Sequence, residues 1–155
     1  MLSTDIVDGF KRAGIPRNYA AGEPLVLVNE PSTGMYLILE GTAKVYRRDL
    51  EGQQIEVATL GPSQTMGEIS LLLGQPHSAT VVAETEMDCL LLTRNRLEEL
   101  KLEDPELALK LYEILSYSLS RYVMFTNQQL DQARKHIHRL EQRLTEQDPT
   151  SFSYF

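Results

Sequence analysis

The sequence predicts an α+β fold that is mainly β: an antiparallel jelly-roll β-barrel (double-stranded β-helix) with a short N-terminal helix and a long C-terminal dimerisation helix. Three observations carry this. Between Tyr19 and Thr93, short β-rich runs alternate with turn residues at regular spacing, the pattern of a sandwich or barrel of antiparallel strands. From Pro105 to about Glu146 there is no further proline and no glycine, so nothing interrupts a helix. Over the distal part of that stretch, apolar positions recur at alternating steps of three and four.

At 155 residues the chain is long enough for one domain with a sizeable core. Residues 1–104 are the expected jelly roll with short helices, 105–147 the long helix and 148–155 a tail. From Ser3 to Arg12, Ile6, Val7 and Phe10 stand at helical spacing behind capping residues, and Gly14 and Pro16 end that helix. The strand-like runs are LVLV at 25–28, MYLIL at 35–39, TAKVY at 42–46, IEVATL at 55–60, TVVAE at 80–84 and CLLLT at 89–93. Glu40-Gly41 suits a tight hairpin, Asp49 to Gly52 closes another, and Gly61-Pro62 marks a third break. Past Thr93 the period changes: Asn95 can cap a short helix through Leu100. Asp104-Pro105, with Glu106 in the first turn, starts the next one.

An unbroken helix from Pro105 to Glu146 spans roughly 60 Å at its ordinary rise, and a helix of that length needs a partner. Val123 at an a position, Thr126 at a d, then Leu130, Ala133, Ile137, Leu140 and Leu144 form a heptad seam. Leu107, Leu111, Leu115 and Phe125 lie off it, and the first three can bury the upstream half against the sandwich. In a parallel homodimer Arg143 at g faces the partner's Asp148, and His136 faces the partner's Glu141. The alternative is a solitary helix whose Arg134, Lys135, Arg139 and Arg143 are a solvated face. It leaves a long apolar strip exposed, which favours the homodimer. The tail after Asp148-Pro149 is short, polar and aromatic, and is expected to fray or dock loosely.

The formal charge of −7 argues against a surface devoted to nucleic-acid phosphates. No stretch approaches the roughly 20 apolar residues that cross a bilayer, and MLSTDIVDGF lacks the basic flank and apolar run of a signal peptide. No membrane insertion and a cytoplasmic location are expected. The single cysteine, Cys89, is followed by leucines and is expected as a small core residue rather than a nucleophile. Of the three histidines, His136 and His138 stand two apart on a helix and so point to different faces. No metal site and no nucleophile–base pair appear, so no enzyme and no cofactor are expected.

One stretch does point to chemistry. Met66 to Val81, MGEISLLLGQPHSATV, joins a Gly-Glu pair, a short apolar run, a Gly-Gln-Pro turn and a His-Ser-Ala-Thr strand entry. A helical turn there directs its first carboxylate and amides inward, and the following loop returns polar side chains and N–H groups beside them. Such a cradle suits an anion that carries a sugar hydroxyl, since an acceptor-only carboxylate beside donor amides matches a neutral hydroxyl next to a negative charge.

Met66-Gly67-Glu68-Ile69 with Ser78-Ala79-Thr80-Val81, supported by Ala21-Gly22-Glu23 and MYLILEGTAKVY, resembles the cyclic-nucleotide-binding domain family of the catabolite activator protein and its relatives. The resemblance covers about Phe10 to Leu130. It implies that Glu68 accepts from the ribose 2′-hydroxyl, that backbone N–H groups from Gly67 through Ile69 to Ser70 line the sugar-phosphate, and that Ser78 and Ala79 lie beside the phosphate. Two positions depart. Asn29 stands where relatives often carry glycine, and asparagine tolerates the left-handed conformation of that turn. His77 stands where the family has the arginine that clamps the phosphate, and histidine lacks the permanently charged planar fork. Either a bound phosphate protonates His77 and restores part of the affinity, or the pocket has turned to another ligand or to none.

The resemblance also sets Thr126-Asn127 where the activator protein has a Thr-Ser pair on adenine. Thr126 either contacts something in the pocket or tunes the oligomeric state. The expected function is a homodimeric sensor of cyclic AMP, cyclic GMP or a related small ligand, signalling through the dimer helix. The alternative is a ligand-free dimerisation or docking module with a degenerate pocket. Relatives that bind DNA carry a helix-turn-helix domain after the long helix, and only nine residues follow Glu146, so no nucleic-acid binding is expected of this chain alone.

Overall fold

The computed structural model describes residues 4–147. Helix α1 (Thr4–Ala13) is followed by strands β1 (Ile15–Tyr19), β2 (Pro24–Val26), β3 (Met35–Glu40), β4 (Ala43–Arg48), β5 (Gln54–Leu60) and β6 (Thr65–Met66). Helix α2 (Glu68–Leu73), strands β7 (Thr80–Ala83) and β8 (Met87–Leu92), and helices α3 (Arg94–Glu103) and α4 (Pro105–Gln147) complete the chain. The strands form two four-stranded antiparallel sheets, ordered β1-β8-β3-β6 and β2-β7-β4-β5. This is the expected jelly roll between a short N-terminal and a long C-terminal helix.

The centre of the first sheet is buried on both faces, which explains why β3 and β8 are continuous apolar runs rather than alternating ones. Met35, Leu37, Leu90 and Leu92 face the helices, where they cluster with Phe10, Leu97, Leu100, Leu107, Leu111 and Leu115. The intervening Tyr36, Ile38, Cys89 and Leu91 face the second sheet and pack with Val26, Ala43, Val81 and Ala83. Cys89 is thus the core residue expected, and burial, with Asp88 adding to it, pushes its thiol up to about 11. Leu107, Leu111 and Leu115 bury the upstream part of α4 as anticipated, while Phe125 is exposed.

Several expectations change. The LVLV strand is shorter, ending at Val26, and β1 and β6 are strands where none was expected. Glu40-Gly41 does not close a hairpin, because β3 pairs with β6 and β8 while β4 pairs with β5 and β7. The turn instead carries the chain from one sheet to the other. Gly41 takes φ 87°, and a Cβ there would lie 2.2 Å from the Glu86 carbonyl oxygen, so the turn requires glycine. Asp49 to Gly52 does close the β4–β5 hairpin, with Asp49 Oδ1 accepting from the Glu51 and Gln53 amides at 2.9 and 2.8 Å. Thr93, not Asn95, caps α3: its Oγ1 accepts from the Arg96 amide at 3.2 Å. Asp104 starts α4 as expected, its Oδ1 accepting from the Leu107 amide at 3.1 Å while Oδ2 pairs with Arg12 at 2.8 Å.

The chain divides into two compact units after Ser118. In the second, Val123, Leu130, Ile137, Leu140 and Leu144 are between 43% and 65% exposed, and Ala133 is exposed with them. Asp148, invoked for the inter-helix pair with Arg143, lies outside the described residues, as does the tail.

The two faces of α4 in the first unit predict different mutational costs. Leu111→Ala, at a position 1% exposed, should lower the free energy of unfolding by about 2–5 kcal/mol. Leu109→Ala, at 61% exposure, should change it by less than about 0.5 kcal/mol. Urea unfolding of both variants measures the difference, and similar losses would contradict this packing.

Candidate ligand site

The site begins at Gly67, which caps α2 with φ 87°. A Cβ at this position would lie 2.4 Å from the Gly34 carbonyl oxygen, so glycine lets the α2 entry press against the β2–β3 loop. The Leu71 amide closes the first turn on the Gly67 carbonyl at 2.9 Å. Ser70 is buried and Ile69 is 40% exposed. At the other end of α2, the Arg94 guanidinium packs over Gly74.

Glu68 is half-buried and already engaged. Its Oε1 accepts from Ser118 Oγ at 2.6 Å and from Thr65 Oγ1, and the two hydroxyl oxygens stand 2.9 Å apart. Neither partner figured in the sequence reading. Thr65 had a signal: a threonine three residues before a glutamate is the spacing of a capping box. Ser118, fifty residues further on, had none.

His77 is 5% exposed, and its ring turns toward the β2–β3 loop. The Thr33 amide donates to Nε2 at 3.3 Å, which places the ring proton on Nδ1. Thr33 Oγ1 stands 3.4 Å from the same nitrogen and 3.1 Å from the Tyr36 hydroxyl. The His77 backbone joins the same loop, its amide donating to the Glu30 carbonyl at 3.1 Å and its carbonyl accepting from the Asn29 amide at 2.9 Å. Asn29 takes φ 66°, the left-handed conformation expected of it. Residues 29–34 therefore hold both ends of the 66–81 stretch, through Gly34 at Gly67 and through Asn29, Glu30 and Thr33 at His77. Ser78 is exposed and Ala79 is buried. Thr126 and Asn127 belong to the second unit and are exposed; the Thr126 hydroxyl donates to the Tyr122 carbonyl at 2.9 Å.

Among the described residues, no group of His, Cys, Asp and Glu could hold a metal ion, and no helix is long and apolar enough to cross a membrane. A cleft of about 370 Å³ at the β1–β8 edge is lined by Asn18, Tyr19, Ala20, Glu40, Glu86, Met87 and Asp88, and contains none of the 66–81 residues.

Burial holds the His77 imidazole below its usual 6.5, against a smaller opposing effect of Glu30. In the unfolded chain the ring takes up a proton as the pH falls through about 6.5, whereas in the folded chain it stays neutral to lower pH. The unfolded state then binds more protons, so stability present above that value is lost as the pH falls through the folded pKa. Urea unfolding at about pH 7.5 and about pH 5.5 should show this loss, and His77→Gln should lose less. An equal loss in the variant would remove His77 as its source.

The family model described as the cyclic nucleotide-binding domain matches residues 16–104. The catabolite activator protein of Thermus thermophilus is 28% identical with a TM-score of 0.70; the match covers 86% of this chain and 61% of that one. The N-terminal domain of a transcriptional regulator from Streptomyces coelicolor is 28% identical with a TM-score of 0.65, over 82% of this chain and 85% of that one. A cyclic nucleotide-binding domain from Methylobacillus flagellatus shares the fold at 23% identity, with a TM-score of 0.74 over 83% and 72%. The present chain thus spans about three fifths of the Thermus activator. The family model covers more than half of the chain and includes the whole stretch from Gly67 to Ala79, and on that match the chain belongs to the cyclic nucleotide-binding domain family.

Proposed function

We propose that the chain is a cytoplasmic, non-enzymatic regulatory module that binds a cyclic nucleotide weakly and signals as a parallel homodimer through α4. The observation that carries this is Glu68: a half-buried carboxylate set among hydroxyl donors, within the residues that the family model matches. It would accept the ribose hydroxyl, while backbone amides around Gly67 to Ser70 and the exposed Ser78 hydroxyl meet the phosphate. His77, neutral and turned to Thr33, supplies no charge to that phosphate. Losing a charge-assisted bond from a desolvated site costs about 2–5 kcal/mol, roughly 30- to several-thousand-fold in affinity. A micromolar site would fall toward millimolar.

The second reading is a ligand-free dimerisation or docking module, and the inward histidine favours it. The two separate by isothermal titration with cyclic AMP and cyclic GMP. Saturable heat at millimolar ligand is expected, and its absence at both about pH 6 and about pH 7.5 would sink the cyclic-nucleotide reading. His77→Arg should strengthen binding at least about 30-fold, provided the new side chain leaves the Thr33 position for solvent. If it binds nothing, more than the clamp has been lost.

Dimerisation rests on the exposed seam of α4, whose leucines and isoleucine need a second apolar surface. Sedimentation of the wild type should give the mass of a dimer. The double variant Ile137→Lys, Leu140→Lys should sediment as a monomer and lose helix content by circular dichroism, since the distal helix has lost its partner. A wild-type monomer at high protein concentration would remove the homodimer.

A further inference from the structure

Ser118 differs from three other serine and threonine hydroxyls of α4. Those of Ser116, Thr126 and Thr145 turn back along the helix and donate to the carbonyl four residues earlier, at 2.8 to 2.9 Å. Ser118 instead reaches out of its helix and donates to Glu68 Oε1 at 2.6 Å. With Thr65 on the same atom, Oε1 has both lone pairs engaged. A further hydroxyl can bind there only by displacing one of the two. Thr65 lies three residues from Glu68, and its loss leaves the α2 entry where it was. Ser118 comes from α4, fifty positions away, so its loss removes the polar contact between α4 and Glu68 while the apolar packing of α4 against Leu71 stays. The exchange is also inexpensive, because a freed serine hydroxyl on a helix can turn back to its own i−4 carbonyl, as its neighbours do.

We propose that Ser118 is a built-in competitor for the ligand hydroxyl at Glu68, and that its release is the event by which an occupied site is reported to α4. The proposal rests on the reading of Glu68 as the sugar-hydroxyl acceptor. Removing the competitor should favour the ligand. Ser118→Ala leaves the free protein with an under-satisfied carboxylate oxygen that a ribose hydroxyl then fills, and alanine suits a helix better than serine.

The test is titration of wild type and Ser118→Ala with cyclic AMP to millimolar concentration, followed by amide hydrogen exchange over residues 116–122. Ser118→Ala should bind about two- to ten-fold more tightly, the worth of one hydrogen bond. In the wild type, cyclic AMP should speed exchange over 116–122; in Ser118→Ala exchange should be fast without nucleotide and change little on its addition. If both proteins bind with equal affinity, the ligand hydroxyl is seated elsewhere, on Oε2 for example, and the proposal is overturned while the cyclic-nucleotide reading stands. If neither protein gives heat with cyclic AMP, both fall together.

Discussion

The position of α4 against the first sheet is the constraint from which the rest follows. Leu107, Ala108, Leu111, Ile114 and Leu115 recur on one face of the helix, and all are 4% exposed or less. Their stripe meets Phe10 of α1, Met35 and Leu37 of β3, Leu90 and Leu92 of β8 and Leu97 and Leu100 of α3. Burying a single leucine or isoleucine side chain is worth about 1.5–3 kcal/mol, and Leu107, Leu111, Ile114 and Leu115 are all buried, whereas one hydrogen bond to a carboxylate nets about 1.5–3 kcal/mol in all. The hydroxyl–carboxylate contact therefore does not place the helix. Burial places the helix, and Ser118, one turn beyond Ile114 and Leu115, arrives beside Glu68 because of it. A contact of this kind can be made and broken without moving the core, which is what a reporting contact requires.

What could be read from the sequence divides along the same line. Strands whose side chains are buried were legible, because burial leaves an apolar run: MYLIL and CLLLT became β3 and β8, and their lack of alternation reflects cores on both faces. β1 was not legible. IPRNY contains proline, arginine and asparagine and exposes four of its five residues, so its strand character comes from backbone pairing with β8 and leaves no periodicity to detect. β6, two residues long, is below the resolution of any pattern. At Glu40-Gly41 the turn was legible because its conformation excludes a Cβ, but which strands it joins depends on partners from β6, β7 and β8 that no local signal encodes.

At the site, residue chemistry was legible and direction was not. That Glu68 is an acceptor follows from its type, yet its donors come from three residues before it and from fifty after it. That His77 lacks a permanent charge follows likewise, yet nothing in Gln-Pro-His-Ser tells whether the ring faces a ligand or the protein. The β2–β3 loop decides it, with two hydrogen bonds to the histidine backbone and a pair of contacts from one residue to Nε2. Thr33, which makes the last, stands in a Pro-Ser-Thr-Gly turn that sequence alone assigns to no site.

Weak binding and effective signalling are compatible in such a site. A ligand shifts an equilibrium between two states only by the difference in its affinity for them; tight binding that is equal in both shifts nothing. A phosphate clamp that grips in both helix arrangements contributes to affinity without contributing to the shift. Under the proposed function, an inward histidine in its place would lower the sensitivity of the site and leave the coupling intact. The proposed exchange at Glu68 differs in kind, since a ligand hydroxyl and Ser118 would exclude each other on one oxygen and the state with Ser118 bound would be the state the ligand disfavours. In the proposed mechanism the coupling is on that account expected at the sugar end of the site, at Glu68, and not at the phosphate end, at the inward His77.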